Sequence, residues 1–479
     1  MTIANPLPLF RDALPAGRVI DDPDLIAPWT SDWRGKYHGA AAAILSPRNV
    51  EEVSAILRIA AAHGIALVPQ GGNSSMVGGA TPPADGKALI LSLRAMNAIR
   101  SIDADANLAV CEAGVILQTL HEAVEAAGRR FPLTLGAKGV ATVGGLISTN
   151  AGGTQVLRHG PMRAQVEGLE AVWPNGSILN GLAALKKDNR GYDLKQVLIG
   201  AEGTIGVITA ASLRLVPTIA SRTVFWAGVA STAQALALLR HLEEALGEAV
   251  EGFEILSDEI VDVVLSEVPG TRKPIASPAP WHVLVEAVTA DPGDADALRA
   301  RVEAALADAL EKDRLTDATI ASSEGQADAF WRIRESVSSS EKAKGPAMQY
   351  DISVPVGAMP AFMIDAARAC EGHFPGSTAQ SYGHLGDGNI HFHVRPPRDP
   401  ADRGAHWIAE QGEAVSRFVN DLVAAAGGSI SAEHGIGQMK VAELARLASP
   451  AHLVGLRAIK GAFDPGGIMN PGKLVPPAP

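Results

Sequence analysis

Two periods alternate along this chain, and the shifts between them outline its elements. In SPRNVEEVSAILRIAAAHGIALVPQGGNSSMVGG, Val50, Val53, Ile56, Leu57 and Ala60 recur at the spacing of one helix face. Asn49 with Glu52 forms a capping box, and Gly64 is placed as the C-cap. Ile65 to Val68 then reads as a short buried strand ended by Pro69, and a glycine-rich loop follows from Gln70 to Gly79. Ala88–Leu93, Leu108–Glu112 and Val166–Trp173 have strand character, and Asn175-Gly176 is a hairpin signal.

The texture changes near residue 218. Stretches 232–248 and 294–312 are Ala- and Leu-rich with Glu, Asp and Arg on the opposite face, which predicts amphipathic helices. Strands such as Thr223–Val229 and Trp281–Ala287 alternate with them, so an antiparallel sheet covered on one face is expected. AFWRIRESVSSSEK reads as helix, with Arg334 and Ser338 on one face. The closing FDPGGIMNPGKLVPP is too rich in turn residues to hold a core and is expected to dock on another domain. The fold class is α+β, divided as residues 1–217, 218–430 and a C-terminal segment 431–479.

Composition narrows the function. A chain of 479 residues exceeds one hydrophobic core, and 47% hydrophobic with 19% charged residues describes a well-packed globular protein. A net charge of −11 opposes any run of phosphates, which excludes nucleic acid as a partner. Cys111 and Cys370 are the two cysteines, so neither a disulfide framework nor a Cys-rich zinc site is available. MTIANPLPLFRDALP lacks a basic n-region, an apolar h-region and a cleavage site, and no apolar run approaches the roughly 18 residues of a membrane span. These features lead to the expectation of a cytoplasmic enzyme with no transmembrane segment.

Candidate chemistry sits in glycine blocks and in one histidine cluster. Besides Gln70–Gly79, the blocks are LGAKGVATVGGLISTNAGG and LIGAEGTIGVIT, each beside a buried-looking strand. Glycine lets backbone N–H groups approach an anion closely, and a diphosphate is the usual recipient. A Walker G-x-x-x-x-G-K-[ST] loop is absent, and PQGGNSSMVGG is not a G-x-G-x-x-G opening a helix. In SYGHLGDGNIHFHV, His384 and His391 flank the turn sequence Gly386-Asp387-Gly388-Asn389, which brings both imidazoles to one side. GGSISAEHGIGQMK adds Glu433 and His434 on a second loop. His, His and carboxylate suit a divalent ion with open positions, zinc first and manganese second. No HExxH is present, since His121-Glu122 is followed at the needed spacing by Glu125.

PQGGNSSMVGG, GAKGVATVGGLISTNAGG and AEGTIGVIT together resemble the FAD-binding domain of the vanillyl-alcohol oxidase/p-cresol methylhydroxylase superfamily. Within it, the chain is most similar to the D-2-hydroxyglutarate dehydrogenases and FAD-dependent D-lactate dehydrogenases, over nearly its whole length. The resemblance implies a two-subdomain FAD-binding domain, an antiparallel substrate domain covered by helices, and a C-terminal segment on the FAD domain. It implies that Pro69, Gln70, Gly71, Gly72, Asn73, Ser74, Ser75 and Gly78 form the pyrophosphate loop. Gly136, Thr142, Gly144, Gly145, Ser148, Asn150 and Gly153 would line the flavin and ribityl chain, and Glu202, Gly203, Ile208 and Asn470 complete the cofactor set. The pyrophosphate loop carries no His, Cys or Tyr for covalent attachment, so non-covalent FAD is expected.

By the same resemblance His384, His391 and Glu433 are metal ligands and His434 is the catalytic base. Arg334 becomes a clamp for a substrate carboxylate, where the residue alone would read as a solvated surface charge. Ser338, Gln349 and His393 complete the substrate set, and here the chain departs from its family. The 2-hydroxyglutarate enzymes have Lys at the position of Gln349, Asn at that of His393 and Thr at that of Ser338. One fixed cation instead of two would face a second substrate carboxylate, so D-lactate or longer monocarboxylic acids are expected beside D-2-hydroxyglutarate. Electrons would leave to an electron-transfer flavoprotein, a quinone or a cytochrome, and a homodimer is compatible with the sequence. Rival readings are an oxidase of the same fold, a metallohydrolase using the His/His/Glu set, and a non-catalytic flavoprotein subunit.

Overall fold

A computed structural model describes residues 5–397 and 404–478, which form two compact units. The first comprises the described residues of Met1–Gly153, His159–Thr218 and Glu433–Pro479; the second comprises Thr154–Arg158 and Ile219–Ala432.

The first unit contains a four-stranded sheet in the order Val19–Ile20, Ile44–Leu45, Leu89–Ser92, Leu67–Gln70. Its last three strands pair in parallel, and Leu67, Val68 and Leu89–Leu91 are buried in the continuous runs that parallel strands require. Pro69 does not end its strand as expected: the strand runs through Gln70. Leu67–Gln70 is the last strand in the sheet order, and an edge tolerates a residue without an N–H. Helix Val50–His63 starts where Asn49 accepts the Glu52 N–H at 2.8 Å and ends at Gly64, burying Val53, Ile56, Leu57 and Ala60. A five-stranded antiparallel sheet follows, in the order Ile99–Asp103, Leu108–Glu112, Val207–Arg214, Val166–Val172, Ile178–Gly181. Asn175-Gly176 turns its last hairpin, where Trp173 donates to Ser177 O at 2.9 Å.

C-terminal residues are woven into this unit. Leu67 donates to Ile468 O and accepts from Asn470, each at 2.8 Å. Phe463 stacks on Trp173 with ring centroids 4.4 Å apart.

The second unit is built on a seven-stranded antiparallel sheet. Its order is Asp317–Ile320, Ser221–Val229, Trp281–Thr289, Val250–Ser257, Thr378–His384, Asn389–Arg395, Met348–Ser353. Alternation sends Phe225, Ala227, Phe253, Ile255, Val283 and Val285 to one face, where they pack on helices Thr232–Leu246, Ala295–Glu311, Met359–His373 and Ala405–Ala425. The cover extends beyond the single face that the sequence suggested. Helices Asp258–Glu267, Glu324–Glu335 and Val337–Ala343 pack on the other face over Val224, Trp226, Leu256 and Leu284.

Candidate active site

Polar chemistry gathers on that second face of the large sheet. NIHFHVR alternates strictly, so Ile390, Phe392 and Val394 enter the apolar core while Asn389, His391 and His393 face the other way. Gly388 at φ +81° makes the turn, and a Cβ there would lie 2.2 Å from Val354 O. The hairpin registers His384 against Asn389 and Tyr382 against His391. Its two imidazoles end 5.5 Å apart between ring centroids, inclined at 78°.

Glu254, register partner of His384, stands behind this pair. Its fully buried carboxylate holds His384 Nδ1 at 2.5 Å and accepts from Arg334 Nε at 2.6 Å. Burial pushes the Glu254 carboxyl up, but the Arg334 guanidinium and His384 outweigh it and bring it down to about 2. With Nδ1 engaged by a carboxylate, Nε2 is the nitrogen that could serve as a ligand, an arrangement common behind metal-bound histidines. Sequence reading missed Glu254. Its signal was a charge at a position of VEGFEILS whose neighbours are all apolar or glycine, a place for a paired carboxylate.

Asp351, the register partner of His391, is buried and accepts Asn389 Nδ2 at 2.9 Å. Ala432, the last residue of this unit, donates to Asp351 O at 3.3 Å, and Glu433 is the next residue of the chain.

Arg334 and Ser338 do not share one helix. Helices Glu324–Glu335 and Val337–Ala343 part at Ser336. Four serines in SVSSS are weak helix formers whose hydroxyls compete for backbone groups, and Ser339 Oγ donates to Ser336 O at 2.9 Å. Both side chains nevertheless converge on Tyr382: the guanidinium lies 5.2 Å from its ring centroid and Ser338 Oγ lies 3.4 Å from its hydroxyl. Arg334 is 9% exposed, which removes the reading as a solvated surface charge.

Gln349 is the register partner of His393. His393 Nδ1 sits 3.4 Å from Glu341 Oε2, which also accepts from Arg395 Nη2 at 2.7 Å. Burial raises the Glu341 carboxyl, but hydrogen bonds from His393 and Arg395 draw it down to about 2. A second carboxylate–His–Arg group thus lies on this face, with its acid and guanidinium already paired.

In the first unit, two glycine blocks meet. A Cβ on Gly71 would lie 2.1 Å from Thr142 Oγ1, and one on Gly72 would lie 2.0 Å from Val140 O. Gln70 Nε2 donates to Trp29 O and Ala80 O, Asn73 Nδ2 donates to Ser31 O, and Ser75 Oγ accepts from Gly79 N–H. Among the described residues, the N–H groups of Gly71, Gly72, Asn73, Ser74 and Ser75 donate to no protein acceptor. Thr142 Oγ1, beside them, is buried without a partner. A run of unengaged N–H groups with a hydroxyl at its side fits a diphosphate. Gly144, Gly145 and Ser148 follow on helix Val143–Thr149, which Asn150 ends, while Gly136 and Gly153 flank it and Pro69 packs on Gly203.

Glu202 and Asn470 engage backbone groups. The Glu202 carboxylate accepts Ile436 and Gly437 N–H at 2.7 Å each, directly after Glu433 and His434, which are half-buried. Burial raises its pKa. Asn470 Nδ2 donates to Glu202 O at 2.8 Å and Gly79 O at 2.9 Å, and Gln438 Nε2 donates to Gly78 O. Ile208 is buried in the five-stranded sheet opposite Ala171.

Residues 41–181 match the FAD binding domain family, and residues 219–474 match the C-terminal domain of FAD linked oxidases. The mitochondrial D-2-hydroxyglutarate dehydrogenase of Arabidopsis thaliana is 36% identical, over 98% of this chain and 81% of that protein. The mitochondrial D-2-hydroxyglutarate dehydrogenase of Bos taurus is 38% identical, over 96% and 81%. In fold, p-cresol methylhydroxylase with substrate bound superposes at a TM-score of 0.76, with 16% identity over 98% of this chain and 96% of that one. The cytoplasmic expectation is overturned here, because the plant and cattle relatives are named as mitochondrial enzymes. That expectation came from missing export signals, which do not separate the cytosol from an organelle. No helix among the described residues is long and apolar enough to cross a membrane.

Proposed function

The chain belongs to the D-2-hydroxyglutarate and D-lactate dehydrogenase family of FAD-linked oxidoreductases, and from that premise we propose that it oxidises a D-2-hydroxyacid to the 2-oxoacid. The observation that carries this reading beyond family membership is the His384/His391 pair, backed by the buried Glu254.

His384 and His391, with Glu433, are the residues that would hold a divalent metal, zinc or manganese. Such an ion would supply Lewis-acid chemistry there, favouring loss of the substrate's hydroxyl proton. His434, next along the chain from Glu433, is the group assigned to take the hydroxyl proton. Arg334, oriented by Glu254, presents its guanidinium fork to a substrate carboxylate. Gly71–Ser75, with Thr142, would hold non-covalent FAD, which supplies a two-electron acceptor for the C2 hydrogen as hydride at N5.

On the substrate's far side, Gln349 offers a neutral hydrogen bond, His393 lies beside the Glu341 carboxylate, and Glu341 already pairs with Arg395. This supports activity on monocarboxylic D-2-hydroxyacids alongside D-2-hydroxyglutarate. Anaerobic titration with a panel of D- and L-2-hydroxyacids tests the assignment. Bleaching of the flavin band by D-acids alone is expected, while no bleaching by any member would end the proposal. Reoxidation of the bleached protein by an electron-transfer flavoprotein, a quinone or cytochrome c then identifies the acceptor, and peroxide formation in air would favour an oxidase.

A further inference from the structure

The first glycine loop is gripped by its carbonyl groups. Arg94 donates Nε–H to Gly71 O at 2.9 Å and Nη2–H to Gly72 O at 3.1 Å. Its guanidinium carbon lies 4.4 Å from the centroid of the Trp29 ring, and the Trp29 carbonyl accepts from Gln70 at 3.0 Å. One planar cation thus joins two consecutive peptides of the loop to an aromatic face that is itself tied to the loop's first residue.

A trans peptide directs its C=O and the following N–H to opposite sides. The described residues contain no cis peptide bonds. Drawing the carbonyls of Gly71 and Gly72 toward Arg94 therefore turns the N–H groups of Gly72 and Asn73 away from it. These are two of the five consecutive N–H groups that donate to no protein acceptor. The loop is also closely confined, since Val140 O and Thr142 Oγ1 occupy the space a side chain would need at Gly72 and Gly71.

We infer that Arg94 is a positioning residue for the FAD diphosphate: its fork holds two carbonyls back so that the adjoining N–H groups are aimed in advance at phosphate oxygens. Pre-aimed donors bind an anion without first ordering a glycine-rich segment, whose chain entropy is the highest of any. Lysine cannot replace it, because a compact ammonium neither forks across two carbonyls nor stacks flat on indole. The inference rests on the FAD reading above.

Binding to flavin-free protein tests it without any turnover. Apoprotein is titrated with FAD, with ADP, which carries adenosine and a diphosphate but no flavin, and with riboflavin, which carries no phosphate. Wild-type apoprotein that fails to bind FAD would remove the underlying reading before any variant is made. Given binding, Arg94→Ala and Arg94→Lys are each expected to weaken FAD and ADP by about tenfold to hundredfold while riboflavin changes less than about twofold. Should Arg94→Ala fail to fold, Arg94→Lys keeps the charge and the aliphatic stem and gives the same comparison. Unchanged FAD affinity in Arg94→Lys, or an equal loss for riboflavin, overturns the inference.

Discussion

His384 Nδ1 lies 2.5 Å from Oε1 of Glu254, a carboxylate with no exposed surface. One buried charge fixes the imidazole's tautomer and, through Oε2, aims Arg334 as well. Glu254→Gln keeps the volume and removes the charge from both. Metal affinity should fall by about tenfold to hundredfold, the usual cost of losing an outer-sphere partner. Urea unfolding should show a loss of about 3–5 kcal/mol, because the buried Arg334 guanidinium loses its charged bond to this carboxylate. Wild-type metal affinity in a competitive chelator titration would take Glu254 out of this role.

His434→Ala should slow single-turnover flavin reduction by about two to four orders of magnitude, the range for loss of a positioned general base. Stopped-flow absorbance measures this directly. Substrate affinity should change far less, since Arg334 and the proposed metal ligands remain. Chelation should abolish turnover, leave the flavin bound, and be reversed by zinc or manganese. Reduction at the wild-type rate would mean that another group takes the proton.

Gln349→Lys should lower KM for D-2-hydroxyglutarate by about tenfold and that for D-lactate much less. A hydrogen bond to a charged group contributes about 1.5–3 kcal/mol, and only the dicarboxylate gains one. Parallel KM changes for both acids would show that Gln349 does not set the preference.

The native Glu341 carboxyl sits at about 2, below the ordinary value of about 4.3. A depressed acid lends stability that is complete above its unfolded pKa and disappears as pH falls through the folded one. Glu341→Gln should therefore cost most near pH 7, and the gap from wild type should close between about pH 4.3 and 2. Paired urea melts across that range check the sign. A gap that stays constant to the acid end would falsify the assignment.

What could be read from the sequence was what repeats locally. The turn GDGN placed His384 and His391 to one side, and the structure puts their rings 5.5 Å apart. Asn49, Glu52 and Gly64 bounded their helix for the same reason, since caps depend on near neighbours. Glu254 was hidden because its partners lie 80 and 130 residues away and its spacing from Glu251, the other acid of the strand, fits no strand period. The break at Ser336 was masked by flanking helical spacing that runs through it. Arg94 shows no motif because it acts on backbone carbonyls, which every sequence has.

The hydrogen bonds between Leu67 and the Ile468–Asn470 stretch set an order on synthesis. The ribosome makes Leu67 long before Ile468 and Asn470, so that edge of the four-stranded sheet emerges with one side unmatched. At about 5–20 residues per second the interval is on the order of tens of seconds, far longer than collapse of a small domain takes. Residues 219–432 are contiguous and emerge complete while the amino-terminal segments still wait. The later-made unit is therefore the first able to finish folding. The glycine-loop unit matures only once residues 468–470 have been made, and during that wait it is the part most in need of chaperone cover.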